Sequence, residues 1–223
     1  RKMKKILLTL SIVIFFTGAA AAKQGELRLR SESVIVLDAE QGNVIYGKKE
    51  DKIRPIASIT KLMTAMVVLD AKLALNEKIS IRSADIDRIK NTRSRLSLGV
   101  KLTRKELLLL ALMSSDNRAA AALGRTYPGG ERVFVKAMNS KAFELGMESS
   151  FFVESTGLSS RNVSTARDLT KLVGAAHNYK LIRKYTTTAV HAVKFPHNKH
   201  ALLYKNSNSL VRRGVWDINI SKT

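Results

Sequence analysis

A chain of 223 residues is long enough for one medium domain, alone or with an inserted subdomain, and its 45% hydrophobic content is that of a globular protein with a packed core. The absence of cysteine excludes disulfides, a thiolate nucleophile and a cysteine-type zinc site. The net charge of +21 favours anionic partners, but basic residues come singly or in pairs (Lys48-Lys49, Arg104-Lys105, Arg212-Arg213) with no interleaved aromatics to stack bases, so no nucleic-acid interface is expected.

Residues 1–22 have the layout of a cleavable export signal. Arg1, Lys2, Lys4 and Lys5 form its basic start, residues 6–16 its apolar run, and Ala20-Ala21-Ala22 its small residues for cleavage. The apolar run is shorter than the ~20 residues that a spanning helix needs. An exported protein is expected, with residues 23–32 as a polar, flexible lead.

Val34-Ile35-Val36-Leu37 is an apolar, β-branched run, read as a strand. Gly42-Asn43 supplies a turn and Val44-Ile45-Tyr46 a second strand, together a hairpin. After Pro55 the chain is apolar nearly all round (Ile59, Leu62, Met63, Ala65, Met66, Val67, Val68, Leu69), the mark of a buried helix. Ile79 to Ile81 reads as a short strand, and residues 82–98 carry no clear pattern. Thr103-Arg104-Lys105-Glu106 is a capping box ahead of an apolar helix to Met113. Ser114-Ser115-Asp116-Asn117 is a turn into the next helix, with Gly124 at its end. Gly129-Gly130 precedes a helix to about Leu145, closed by Gly146, and Thr165-Ala166-Arg167-Asp168 opens another to about Ala176. From Thr186 the residues favour strands and loops, ending in a half-buried strand at Asp217-Ile218-Asn219-Ile220. Strands, a helical middle and strands again make an α+β domain whose sheet is interrupted by a helical insertion.

Three short groups carry chemistry. Ser58-Ile59-Thr60-Lys61 starts the buried helix, and residues three apart share a helix face, so hydroxyl and amine can meet. A serine hydroxyl needs a base. Lysine serves only when neutral, a state that burial and a nearby positive charge favour. Ser115-Asp116-Asn117 lies in an inter-helix turn, where a hydroxyl can relay a proton and an amide can hold a carbonyl. Helix capping explains the same residues, and Ser160-Arg161-Asn162 repeats the S-x-N spacing. Lys222-Thr223 follows the last expected strand, where a charge and a hydroxyl can bind a carboxylate. No histidine stands in an HExxH spacing; His197 and His200 alone are close, in a loop-like segment, and no metal site is expected.

In this order, S-x-x-K, S-D-N and K-T resemble the motif set of penicillin-binding proteins and class A β-lactamases. Arg54-Pro55-Ile56-Ala57-Ser58-Ile59-Thr60-Lys61-Leu62-Met63-Thr64-Ala65 resembles the nucleophile helix of the low-molecular-mass D-alanyl-D-alanine peptidases. Leu112-Met113-Ser114-Ser115-Asp116-Asn117-Arg118-Ala119-Ala120, Tyr127-Pro128-Gly129-Gly130 and the Asn162-Val163-Ser164-Thr165 stretch resemble their endopeptidase branch, the penicillin-binding protein 7 type. The resemblance implies a DD-peptidase/β-lactamase-like fold over residues 33–223: an antiparallel sheet flanked by helices, with an inserted all-helical subdomain. It also implies a periplasmic serine enzyme acting on peptidoglycan stem peptides and inhibited covalently by β-lactams, with no metal or organic cofactor. Ser58 would form the acyl-enzyme and Lys61 accept its proton. Ser115 would pass a proton to the leaving amine, and Asn117 would bond the substrate backbone. Lys222 and Thr223 would bind the substrate carboxylate from a strand, with the Ser58 N–H as one oxyanion donor. Cleavage of D-alanyl cross-links is expected ahead of the two alternatives, trimming of terminal D-alanine and a non-catalytic cell-wall-binding role. The positive charge also suits anionic envelope polymers or a membrane surface.

The sequence departs from the family in two places. The third motif continues with glycine, then an oxyanion donor, further strands and a helix, whereas this sequence stops at Thr223. A C-terminally truncated chain, unstable and weakly active by itself, is the expectation. The E-x-x-L-N stretch of class A β-lactamases is not found, since Glu154 is followed by Ser155-Thr156-Gly157-Leu158. Slow deacylation of bound penicillin is therefore expected.

Overall fold

The expected N-terminal hairpin forms in the computed structural model, which describes residues 29–195 and 201–223. Strand β1 (Val34–Leu37) pairs antiparallel with β2 (Val44–Lys48). Asp38 closes the turn by accepting from the backbone N–H groups of Glu40 and Gln41 at 2.8 and 3.0 Å. Then come β3 (Arg54–Pro55), a 3-10 turn at Ala57–Ile59 and helix α1 (Thr60–Asp70). Strands β4 (Lys78–Ser80) and β5 (Lys101–Thr103) precede α2 (Arg104–Met113), α3 (Asn117–Arg125) and α4 (Gly130–Glu144). The order ends with β6 (Val163–Ser164), α5 (Ala166–His177), α6 (Lys180–Thr186), β7 (Val190–Val193), β8 (Leu202–Lys205) and α7 (Ser209–Arg213). Among the described residues the strands form four two-stranded antiparallel ladders: β1 with β2, β3 with β6, β4 with β5, and β7 with β8. Residues Glu32–Thr223 make up one unit, which holds all of these elements.

Helix α1 is the axis of this unit. Every residue from Thr60 to Val68 is buried, because α2, α3, α4, α5 and α6 all pack against it. Leu62, Met63 and Met66 share its core with Leu107 and Leu110 of α2, Phe134 and Met138 of α4, Leu172 of α5 and Ile182 of α6. A helix apolar on nearly every side has no face to offer water, so it is stable only when surrounded. The surrounding helices start where the sequence supplies caps. Thr103 Oγ1 accepts from Glu106 N at 3.2 Å while the Glu106 carboxylate accepts from Thr103 N at 2.7 Å. Asp116 caps α3 through Ala119 N, and Thr165 caps α5 through Asp168 N, both at 3.0 Å.

Several expectations are corrected. Gly124 does not end its helix, which runs on to Arg125. A Cβ there would lie 2.8 Å from Ser155 Oγ, so glycine serves close packing. Helix α7 interrupts the region from Thr186 read as strands and loops, and α6, ahead of it, was not expected. Residues 217–220 form no strand. Their alternation is present, but among the described residues no neighbouring strand hydrogen-bonds to them, and a strand without a partner has nothing to hold it extended. Ile220 alone packs on the core. Lys222 and Thr223 therefore sit on an irregular strap and not on a strand. The export signal, most of the lead, His197 and His200 lie outside the described residues.

Phe134 is fully buried and meets Tyr127 edge-on, with ring centroids 5.2 Å apart. Phe134→Ala is expected to lower the unfolding free energy by about 3–5 kcal/mol, as measured by chemical denaturation.

Candidate active site

Ser58 lies in the 3-10 turn that runs into α1, and Lys61 follows one turn on. The Lys61 side chain is wholly enclosed, so its amine must find polar partners inside the protein. It has three oxygens: Ser58 Oγ at 3.0 Å, Asn117 Oδ1 at 2.8 Å and the Thr156 carbonyl at 2.6 Å. Burial pushes the Lys61 ammonium down to about 8, against the opposing pull of the Glu154 and Asp116 carboxylates. A neutral amine has two N–H groups and one lone pair. A carbonyl and an amide oxygen only accept, so they take the two N–H groups. The lone pair is left facing the Ser58 hydroxyl, the arrangement in which an amine can take its proton.

Two residues in left-handed backbone set the hydroxyl directions. Ala57, just before Ser58, has φ 44, and Ser115 has φ 59. Such conformations cost non-glycine residues roughly 1–3 kcal/mol each and persist only where surroundings enforce them. The Ala57 carbonyl packs directly against Gly157. A Cβ at Gly157, itself at φ +84, would stand 1.9 Å from the Ala57 carbonyl oxygen.

Ser115 projects from the turn between α2 and α3. Its Oγ accepts from Lys222 Nζ at 3.0 Å and donates to the Thr223 carbonyl at 3.5 Å. Burial pushes Lys222 down to about 7, and the Lys61 charge adds to the shift. The strap that carries Lys222 is tied by Thr223 Oγ1 to Ser207 Oγ at 2.6 Å and by Asn208 Nδ2 to Ser221 Oγ at 2.8 Å. Asp116 points inward; burial raises its carboxyl, and Ser94 Oγ donates to it at 2.8 Å. The structure thus brings together Ser58, Lys61, Ser115, Asn117, Lys222 and Thr223. A cavity of about 240 Å³ opens at Ser115 and Asn117, with Arg93, Arg95, Tyr204 and Lys205 on its other walls. A larger open groove, about 720 Å³, runs along α4 past Phe143 and Phe151 and contains none of these six residues.

The loop that delivers the Thr156 carbonyl was not legible from motifs. Glu154 organises it, accepting from Thr156 N at 2.6 Å, Gly157 N at 2.7 Å and Asn162 Nδ2 at 2.8 Å. Asn162, which the second S-x-N spacing offered as a rival, is fully buried. It bonds Val153 N at 2.8 Å and Thr60 Oγ1 at 3.1 Å, and so pins the loop to α1. The available signal was a glutamate, a glycine and an asparagine in one short segment, a pattern that fits a self-bonded loop.

The sequence profile of D-alanyl-D-alanine carboxypeptidases matches residues 19–223. A Pseudomonas aeruginosa protein named D-alanyl-D-alanine endopeptidase is 45% identical over 221 residues, covering 98% of this chain and 71% of its own length. The Escherichia coli protein of that name is 49% identical over 205 residues, covering 92% of this chain and 66% of its own. The chain therefore spans about two thirds of the length of these curated relatives. A solved Streptomyces DD-transpeptidase superposes with a TM-score of 0.73 at 29% identity, over 80% of this chain and 74% of its own.

Two outcomes are expected from this geometry. If Lys61 must be neutral, Ser58 reactivity toward an acylating probe that carries no carboxylate, and so does not depend on the Lys222 charge, rises roughly tenfold between pH 7 and pH 9 and levels off above, as the amine loses its proton through about 8. Lys61→Arg, always charged, gives a flat profile near zero. Gly157→Ala, placed against the Ala57 carbonyl, is expected to abolish that reactivity and lower the thermal midpoint, read by labelling and by calorimetry.

Proposed function

We infer, for a chain that belongs to the D-alanyl-D-alanine carboxypeptidase family, a serine-type DD-peptidase that cleaves D-alanyl cross-links of peptidoglycan. The observation that carries this reading is the Lys61 amine, held 3.0 Å from Ser58 Oγ with its N–H groups directed elsewhere. Ser58 Oγ attacks the D-alanyl carbonyl as Lys61 takes the hydroxyl proton. The oxyanion accepts from the Ser58 N–H, which stands at the start of the 3-10 turn and so has no acceptor within it. Ser115 passes a proton to the departing amine, and Lys222, 3.0 Å away, is placed to restore it. The C–N bond breaks, an ester remains on Ser58, and water hydrolyses it.

The substrate is held by the same residues. One N–H of the Asn117 amide bonds its backbone. Lys222 and Thr223 bind its carboxylate by charge and hydroxyl contact. That carboxylate also favours the charged form of Lys222, which in turn lowers the Lys61 proton affinity.

The endopeptidase reading is supported by the two relatives that bear that name and cover nearly all of this chain. Removal of terminal D-alanine, the activity in the family's own description, uses the same acyl-enzyme and is the second reading. The intact Ser58–Lys61 pair argues against a purely binding role. An exported, periplasmic location follows from the substrate and from the composition of residues 1–22. The excess of basic residues suits contact with anionic envelope polymers.

A fluorescent penicillin is expected to label the intact protein covalently, and Ser58→Ala to lose the label. An unlabelled wild type would favour the binding role. Glu154 commits its oxygens to Thr156, Gly157 and Asn162, so it is not free to activate water, and the label is expected to persist. Muropeptide analysis should show cross-linked dimers converted to monomers; loss of terminal D-alanine alone would sink the endopeptidase reading.

A further inference from the structure

An amide side chain is nearly symmetric in shape, yet only one of its two orientations suits Lys61. With Oδ1 toward the lysine, Asn117 takes an N–H and leaves the lone pair for Ser58. Turned over, it would offer an N–H, and the neutral amine would answer with its lone pair. The base would then face the wrong partner. Something must therefore fix the amide.

The segment 82–98, patternless in sequence, supplies it. Asp87 is buried, 6% exposed, and accepts from Ile89 N, Lys90 N and Thr92 N at 2.8, 2.9 and 2.8 Å. It also accepts from Thr92 Oγ1 at 2.7 Å. Burial alone would raise its carboxyl, but the bonds to Lys90, Thr92 and Ile89 outweigh burial and hold it at about 2. At working pH it is a carboxylate and can only accept. The single hydroxyl proton of Thr92 is thus directed to Asp87, and Thr92 Oγ1 has only lone pairs left to offer. Asn117 Nδ2 donates to those lone pairs at 2.8 Å, which turns Oδ1 to Lys61 at 2.8 Å. The second N–H of Nδ2 stays available for a substrate carbonyl.

We propose that Asp87 and Thr92 are positioning residues, which set the hydrogen-bond polarity of Asn117 and thereby aim the Lys61 lone pair at Ser58. This rests on the acyl-enzyme reading above. Each step of the relay has one allowed direction: carboxylate accepts, hydroxyl donates, amide nitrogen donates, amide oxygen accepts, amine donates. Neither residue touches Ser58 or Lys61 in this structure, and neither belongs to the three motifs.

The test is the acylation rate constant of the intact protein with a fluorescent penicillin, measured beside the thermal midpoint. Thr92→Val keeps the shape and removes the hydroxyl; acylation is expected to slow by about tenfold or more, in the range of lost support for a catalytic group. Thr92→Ser is expected to acylate within about threefold of wild type, because the relay needs the hydroxyl and not the methyl. Asp87→Asn is the sharper variant. Its amide can donate to Thr92, which turns the threonine proton toward Asn117 and reverses the relay. Acylation is expected to slow as in Thr92→Val, with no further loss in the double variant. If Thr92→Val fails to fold, Asp87→Asn and Thr92→Ser carry the test. Wild-type rates in both Asp87→Asn and Thr92→Val, or a Thr92→Ser as slow as Thr92→Val, overturn the proposal. A wild type that takes no label overturns the enzymatic reading and this one with it, whereas a labelled wild type with unaffected variants overturns this one alone.

Discussion

The structure depends on one enclosed amine. Lys61 sits near the start of α1, and its three oxygens come from three separate parts of the chain: Ser58 before the helix, Asn117 at the start of α3 and Thr156 in the 154–162 loop. Holding that amine near neutrality is unfavourable for the fold. A pKa lowered from 10.5 to about 8 corresponds to roughly 3 kcal/mol of disfavoured charge in the native state. The native protein binds fewer protons than the unfolded chain between those values, so this penalty is full below about pH 8 and fades as pH rises toward 10.5. The burial of Leu62, Met63 and Met66 around it, at about 1.5–3 kcal/mol for each large side chain, is the scale of what offsets it.

Strain and packing are coupled to that amine. The left-handed backbone at Ala57 presents Ser58 to the lysine, and the absence of a side chain at Gly157 lets the Ala57 carbonyl close against the loop. The same loop delivers the Thr156 carbonyl. One glycine therefore serves Ser58 and Lys61 together. Ser115 is left-handed too, and its hydroxyl meets Lys222. The two lysines depress each other's protonation across the site, so a bound anion at Lys222 is felt at Lys61 without direct contact.

The parts legible in sequence were those whose cause is local. The Ser58–Lys61 pair follows from helical spacing, and α1 from an apolar run too wide for a surface helix. The starts of α2, α3 and α5 follow from Thr103, Asp116 and Thr165. What was missed depends on the tertiary fold. Helix α6 has Tyr179 at its start with no side-chain cap bond, so nothing marks its beginning. Residues 217–220 alternate correctly for a strand, but alternation states only which side chains face inward and not whether a neighbour exists. The Thr156 carbonyl belongs to the backbone and has no residue signature. The Asp87–Thr92 relay joins residues five apart to Asn117, 25 residues further along, through a segment without periodicity.

The Ser115-Asp116-Asn117 turn shows why capping and catalytic readings of such residues are not rivals. Asp116 caps α3 through Ala119 N and is anchored by Ser94, which explains its burial without any chemistry. Yet the cap is what makes Asn117 the first residue of the helix, with its amide on the side facing Lys61 and Thr92. It also forces the chain to turn sharply at Ser115, the residue that takes the left-handed conformation. Capping, a term of about 1 kcal/mol in stability, is then the means by which the fold sets the direction of two polar side chains. A structural role for Asp116 is thus the condition for the directions that Ser115 and Asn117 take.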